Sequence, residues 1–179
     1  MSKATIHDAA AYIVRYFGKP ITAMKLQKLA YFSQGWSLAL LEKPLFKAEF
    51  QAWLHGPVNR DLFSRHKGSF HVSSWFGDPE NLGELEKLVV DGVLANYGAL
   101  SGTDLSELTH MPDSPWTFAR EQAGVLPRAS SDVVIDEELM KKHSGVNWKN
   151  LQRLRESTHS SCSSPAVCMN PRIELLEIV

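Results

Sequence analysis

The chain has 179 residues, 44% apolar and 22% charged, with a net charge of −1. This suits one globular domain with a real core, and no run reaches the roughly 18–20 apolar residues that a membrane helix needs. Two cysteines, Cys162 and Cys168, are too few for a disulfide framework, and the start MSKATIHDAA lacks an apolar signal core, so the cytoplasm is the expected compartment. The near-neutral sum hides a segregation. Residues 1–70 carry ten Lys or Arg against four Asp or Glu, residues 71–140 three against thirteen, and residues 141–179 six against three. Such a distribution either closes on itself by intramolecular pairing or leaves an acidic face for a basic partner, and it argues against an ordinary basic nucleic-acid surface.

Helical patterning dominates the chain. Thr5 is placed to cap a helix running to Phe17, with Ala10, Ile13, Val14 and Phe17 as its apolar stripe, Gly18 as its stop and Pro20 beyond. Thr22 caps a second helix that reaches about Leu41 before the turn Glu42-Lys43-Pro44. Glu49 to His55 reads as a strand, ended by the breaker pair Gly56-Pro57. A short helix follows from an Asn59 cap, with Leu62, Phe63 and His66 on one side, and residues 67–80 read as a loop or weak second strand. A long helix is predicted from Leu82 to Tyr97, its glutamates near the start as the helix dipole favours and Gly98 just past its end. Ser101 and Asp104 open another helix ending near His110; Ser114-Pro115 opens the next, which carries Trp116, Ala119 and Arg120. Val133–Ile135 reads as a short strand before a last helix, Asp136 to about His143.

After Gly145 the pattern decays, and STHSSCSSPAVC over residues 157–168 is low in complexity. The expected fold is therefore mainly α (α+β). One compact helical domain, residues 1–145, surrounds a central buried helix at about 22–41 and carries a small antiparallel β element. Residues 146–179 form a C-terminal extension, expected to be partly mobile.

The central helix, MKLQKLAYFSQGW over 24–36, is too apolar for a surface helix. On a wheel of about 100° per residue, Leu29, Ala30, Ser33, Trp36, Ser37 and Leu40 fall within about 80° of Leu26. The opposite sector, holding Gly35, Lys28, Ala39, Phe32 and Lys25, is expected to face solvent. Phe32 between two lysine stems reads either as a binding anchor or as an aromatic covered by a loop or the tail.

Seven histidines invite a search for catalysis. His55, His66 and His71 share no helical face, so no His-Glu-x-x-His site forms, and Cys162, Cys168 and His159 lack metal-ligand spacing. His110 is placed to cap a helix C-terminus. There is no Gly-rich phosphate loop, no Gly-x-Ser-x-Gly elbow and no base partner for either cysteine. No catalytic, cofactor or metal residues are assigned, and a binding protein is expected rather than an enzyme.

Three ordered segments, ITAMKLQKLAYFSQGWSLALLEKPLF, EFQAWLHGPV and LSELTHMPDSPWTFAR, together resemble the Panacea antitoxin domain, also called the SocA-like or phage-associated GepA-like domain, over about residues 5–143. The resemblance implies a mainly helical domain with a small β element. Such domains are often encoded beside a toxin, frequently on prophages, and neutralise it by direct protein contact; one branch is an adaptor that delivers its toxin to an ATP-dependent protease. Among the matching positions, Leu26, Leu29, Trp36, Trp53, Gly56, Pro57, Pro115 and Trp116 read as framework. The three tryptophans are large enough for core pillars burying up to about 250 Å² each. Lys25, Lys28 and His55, with Phe32 and Arg60 outside the motifs, have the chemistry of presentation to a partner. Asn59-Arg60 replaces the Val-Pro that often follows Gly-Pro-Val in such domains. The alternative function is a DNA-binding regulator of a prophage or toxin–antitoxin operon. Ser101–His110 and Ser114–Gln122 have helix–turn–helix spacing, but their surroundings are acidic and Arg120 is the only base reader. An adaptor would need a second surface, for which 146–179 is the available segment.

Overall fold

A reciprocal cap starts the first helix: the Asp8 backbone N–H donates to the Thr5 hydroxyl while the Thr5 N–H donates to the Asp8 carboxylate at 2.8 Å. The helix, α1 (Ile6–Phe17), ends where Gly18 turns left-handed at φ 59°. The computed structural model describes residues 4–145, and the reading of 146–179 as a mobile extension lies outside those residues. The order continues β1 (Ile21–Thr22), α2 (Ala23–Leu40), β2 (Gln51–Trp53), β3 (Gly56–Val58), α3 (Arg60–His66) and β4 (His71–Val72). A short 3₁₀ turn (Pro79–Asn81) then precedes α4 (Glu84–Tyr97), α5 (Gly102–Thr109) and α6 (Pro115–Gln122). A last helix, α7, opens at residue 137 and runs to the end of the described residues. The fold is mainly α, and among the described residues no helix is long and apolar enough to cross a membrane.

Local chemistry sets most of the helix starts. Thr22, Asn59, Ser101 and Ser114 each accept a backbone N–H from the first turn of the helix they precede. Gly98 differs from expectation: at φ −64° it stays right-handed and closes α4 without a left-handed turn. The strands are short. β2 pairs antiparallel with β3 in the register Gln51↔Val58, Ala52↔Pro57, Trp53↔Gly56, around a Leu54-His55 turn. Gly56-Pro57, read as a terminator, thus opens the second arm of a hairpin. Val133–Ile135 adds one bridge to its outer side, with the Ala52 N–H donating to Val133 O and the Ile135 N–H to Phe50 O, both at 2.8 Å. The weak strand in 67–80 is β4, and its partner β1 was not foreseen.

α2 is the hub. It packs against α1, α4, α5 and β3, and every residue from Leu26 to Leu38 is buried. Most of the wheel's solvent sector is therefore covered, and only Lys25 and Ala39 of it keep intermediate exposure. Phe32, 7% exposed, stacks on Tyr97 of α4 at 4.8 Å and 17°. Gly35 lies against Ser144 of α7 so closely that a Cβ would collide with its hydroxyl. Lys28, 1% exposed, lies under the β2–β3 hairpin. Lys25 is half-buried, its ammonium 2.6 Å from Gly98 O and over the Phe17 ring; burial, with Lys19 adding to it, lowers its pKa. A wheel assigns an outside only when one face has no neighbour, and here neighbours surround the helix.

The polar residues of this buried helix are satisfied by the backbone of distant loops. The Gln34 amide oxygen accepts from Leu45 N and Phe46 N, and its NH₂ donates to Phe46 O and Glu137. The Gln27 amide oxygen accepts from Asn59 N at 2.9 Å, and its NH₂ donates to Asn59 O and to His66 Nε2. The Ser37 hydroxyl donates to Lys43 O. Each loop is thereby located by a side chain that would cost about 1–3 kcal/mol to bury unpaired. Part of the charge segregation closes internally, since Arg15 pairs with Glu80 at 3.1 Å and Lys43 with Glu86 at 3.0 Å.

Candidate partner-binding groove

The hairpin tip is gripped through its main chain. Going round it, Ala52 O accepts from the Arg120 guanidinium at 2.8 Å, Trp53 O from the Trp116 indole at 2.8 Å and His55 O from the Ser106 hydroxyl at 2.9 Å. The His110 ring lies 3.2 Å from Leu54 O, and Pro57 O accepts from the Lys28 ammonium at 2.9 Å. Four of these side chains come from α5, α6 and the His110 cap between them, and the fifth from α2. His110 also caps α5 as expected, its Nδ1 against Ser106 O. Its ring lies 3.9 Å from that of Trp116, over which the Arg120 guanidinium sits at 4.9 Å.

Gly56 is where the three sequence segments meet. Its φ of +95° suits glycine, and an added Cβ would stand 2.6 Å from Thr109 Oγ1 and 2.8 Å from Lys28 Cε. Lys28 of α2, Gly56 of the hairpin and Thr109 of α5 therefore form one contact. This contact fixes the hairpin onto α2 and α5, with Lys28, expected to face a partner, packed beneath Gly56.

What the fixed hairpin presents is a groove of about 650 Å³ between its outer side, α3 and residues 130–132. Trp53 and Phe63 make an edge-to-face wall with ring centroids 4.8 Å apart. Leu54, Val58 and Met24 extend the apolar lining, while Lys28, Gln27 and His66 also border the groove, with His55, Arg60 and Asp132 exposed at its rim. Three of the residues expected to face a partner, Lys28, His55 and Arg60, are thus brought together. Lys25 and Phe32 lie elsewhere; Lys25 borders a smaller hollow with Phe17 and Gly98.

Burial governs the electrostatics here. Desolvation pushes the Lys28 ammonium down to about 7. His66 is also lowered by burial, in accord with its geometry: because the Gln27 oxygen is taken by Asn59 N, the Gln27 NH₂ faces His66 Nε2, which must accept.

Two readings of individual residues change. Trp53, expected as a core pillar, is half-buried and walls the groove, whereas Trp36 and Trp116 are buried. The period of two carried this signal: Phe50 and Ala52 are buried, and Gln51, Trp53 and His55 fall on the other side. Phe63, on the stripe with Leu62 and His66, turns its ring to Trp53 as well as to His66. Arg120, the sole base reader of the helix–turn–helix alternative, is 4% exposed and bonded to Ala52 O, Leu126 O and Ala129 O, so it is not available to read a base. Among the described residues no cluster of three His, Cys, Asp or Glu has metal-binding geometry.

Comparison with known proteins gives two findings. The family model described as "Antitoxin SocA-like, Panacea domain" matches residues 26–117. Antitoxin SocA of Caulobacter vibrioides (strain NA1000 / CB15N) is 27% identical over 110 residues, which are 54% of this chain and 58% of that protein. The chain thus spans little more than half the length of the curated relative it matches. No solved structure matches.

Proposed function

The chain belongs to the antitoxin SocA-like Panacea domain family, and on that premise we propose that it is an antitoxin that neutralises a cognate toxin protein by direct contact at the hairpin–α3 groove. The observation that carries this reading is the half-exposed Trp53–Phe63 wall on a hairpin whose backbone is already fixed from beneath. A large aromatic pair on a rigid support is the usual chemistry of a binding hot spot, and the rim residues His55 and Arg60 supply polar contacts around it. An interface of standard size, on the order of 1,200–2,000 Å² in total, is the scale implied. The function is binding rather than turnover.

The test is a growth assay. Cells expressing the toxin encoded beside this gene are arrested, and co-expression of this chain restores growth. The Trp53→Ala/Phe63→Ala double variant, verified as folded by circular dichroism, weakens the complex by about 30-fold or more and loses rescue. Rescue by the folded double variant would remove the groove from the reading. Failure of the wild-type chain to rescue at all, with no complex recovered, would remove the antitoxin function.

A further inference from the structure

Lys28 is a buried, poorly compensated cation at the edge of the groove. Its side chain is 1% exposed and borders the groove, yet among the described residues one of its three donors is used, on Pro57 O. Among the described residues no carboxylate lies within ion-pair distance of it. The amide oxygen of Gln27 beside it accepts from Asn59 N, and no bond from the ammonium to Gln27 is formed among the described residues. Thr109, packed with it under Gly56, donates its hydroxyl hydrogen to Ser106 O, and among the described residues no bond joins that hydroxyl to the ammonium. A buried ammonium with one neutral acceptor is costly to keep. A carboxylate brought in from outside would offset that cost, in a setting where such a bond is strong.

Resting on the groove as the contact surface, we propose that Lys28 anchors a partner carboxylate, so that the groove's occupant is a segment of the partner protein in which an Asp or Glu is flanked by aromatic or branched apolar side chains. The apolar neighbours of that acid lie along Trp53, Phe63 and Leu54, and exposed Arg60, which has no acidic partner among the described residues, extends the attraction at the rim. Asp132 on the rim disfavours a polyanion such as nucleic acid, while a single carboxylate seated at Lys28 is matched.

A random dodecapeptide display library is selected on the full chain, on Lys28→Met and on Trp53→Ala. The expected pool from the wild type is enriched in Asp or Glu beside aromatic residues, and that acidic preference vanishes on Lys28→Met. The best peptide, synthesised with its acid as Glu or Gln, loses about 10- to 100-fold in affinity from either change, and the two losses together are no larger than one alone.

A second measurement uses the wild type only, in case Lys28→Met does not fold: NMR of ¹³Cε-labelled lysine. Lys28 titrates low in the isolated chain and rises by about one unit or more when the Glu peptide binds, while the Gln peptide leaves it in place. The other titratable or charged groups around it are His55 of the hairpin, Arg60 and His66 of α3, His110 beyond α5 and Asp132, and their signals are followed alongside. An isolated chain in which Lys28 already titrates near 10 would show that its charge is already compensated without a partner; that overturns the assignment. Peptides that require Trp53 but bind Lys28→Met equally well overturn the carboxylate anchor while sparing the groove. Peptides indifferent to Trp53 overturn the groove itself, and an unenriched library overturns the peptide occupant, while the growth assay judges the antitoxin function separately.

Discussion

Gly56→Ala tests the meeting of α2, the hairpin and α5 at one atom. Two costs are involved, and the chain contains a residue that separates them. Gly68 has nearly the same φ, +86° against +95°, but nothing lies within 4 Å of where its Cβ would stand. Gly68→Ala therefore carries the conformational cost alone, about 1–2 kcal/mol for an L side chain forced to positive φ. At Gly56 the same methyl would lie 2.6 Å from Thr109 Oγ1 and 2.8 Å from Lys28 Cε. Both side chains are held, Thr109 by its bond to Ser106 O at 2.7 Å and Lys28 by its bond to Pro57 O at 2.9 Å. Overpacking of this kind adds about 1–3 kcal/mol, so Gly56→Ala should cost about 2–5 kcal/mol in all. With roughly 2–4 °C of melting temperature per kcal/mol in a domain of this size, the excess over Gly68→Ala is about 2–12 °C. Thermal and urea unfolding followed by circular dichroism measure it, and Thr109→Ala in the Gly56→Ala background should recover part of the loss. Equal costs at the two glycines, or no recovery, would show that the contact with Lys28 and Thr109 is not tight and that Gly56 serves backbone conformation only.

Two further outcomes follow from burial. Phe32→Asp should abolish folding rather than weaken binding selectively, because it removes a ring stacked on Tyr97 and buries a carboxylate, a loss of about 3–5 kcal/mol for the ring alone; a cooperatively melting variant would show Phe32 to be more accessible than described. Stability should rise with pH from about 5 to about 10. Burial lowers the pKa of His7, His66 and His143, so below 6.5 the unfolded chain takes up protons that the folded one refuses. From about 7 to 10.5 the same holds for Lys28, at up to about 1.4 kcal/mol per pH unit for that buried group. Above 10 the buried Tyr31, whose pKa is raised, reverses the trend because only the unfolded chain ionises there. Urea midpoints between pH 5 and 11 measure the curve, and a flat profile from 7 to 9 that Lys28→Met leaves unchanged would refute the assignment to Lys28.

Caps and turns were legible in the sequence because their chemistry is local. Thr5 and Asp8, or Ser101 and Asp104, bond across three residues, and any chain carrying them in that order is biased toward the same helix start. The burial of α2 was legible from its composition. Its orientation was not, because the groups that cover Phe32, Gly35 and Lys28 come from Tyr97, Ser144 and the 54–58 hairpin, which are distant in sequence. The polar punctuation of that helix was equally opaque: Gln27 and Lys28 bond to backbone atoms about thirty residues away, and nothing in a helical wheel reports a backbone acceptor. For Trp53 two local signals conflict: its size favours the core, while alternation with buried Ala52 puts it on the outer face, and the alternation prevails.

The way the hairpin is held bears on how such a surface can work. Arg120, Trp116, Ser106 and Lys28 all donate to main-chain carbonyls, and His110 lies against another, so the grip does not depend on which side chains stand at 53–55. Those side chains are left for contact. A partner meeting the tip has no backbone to order, which saves about 1–2 kcal/mol for each residue that would otherwise be fixed on binding. The same arrangement lets residues such as Trp53, Leu54, His55 and Arg60 differ without loosening the scaffold, since they are not donors in the grip. Lys28 is the exception that joins the two layers. It helps to hold the hairpin through Pro57 O and also borders the groove, so a ligand that engages its ammonium acts on the support as well as on the surface. On the proposed reading, binding at the groove would be coupled to the rigidity of the hairpin through this one side chain.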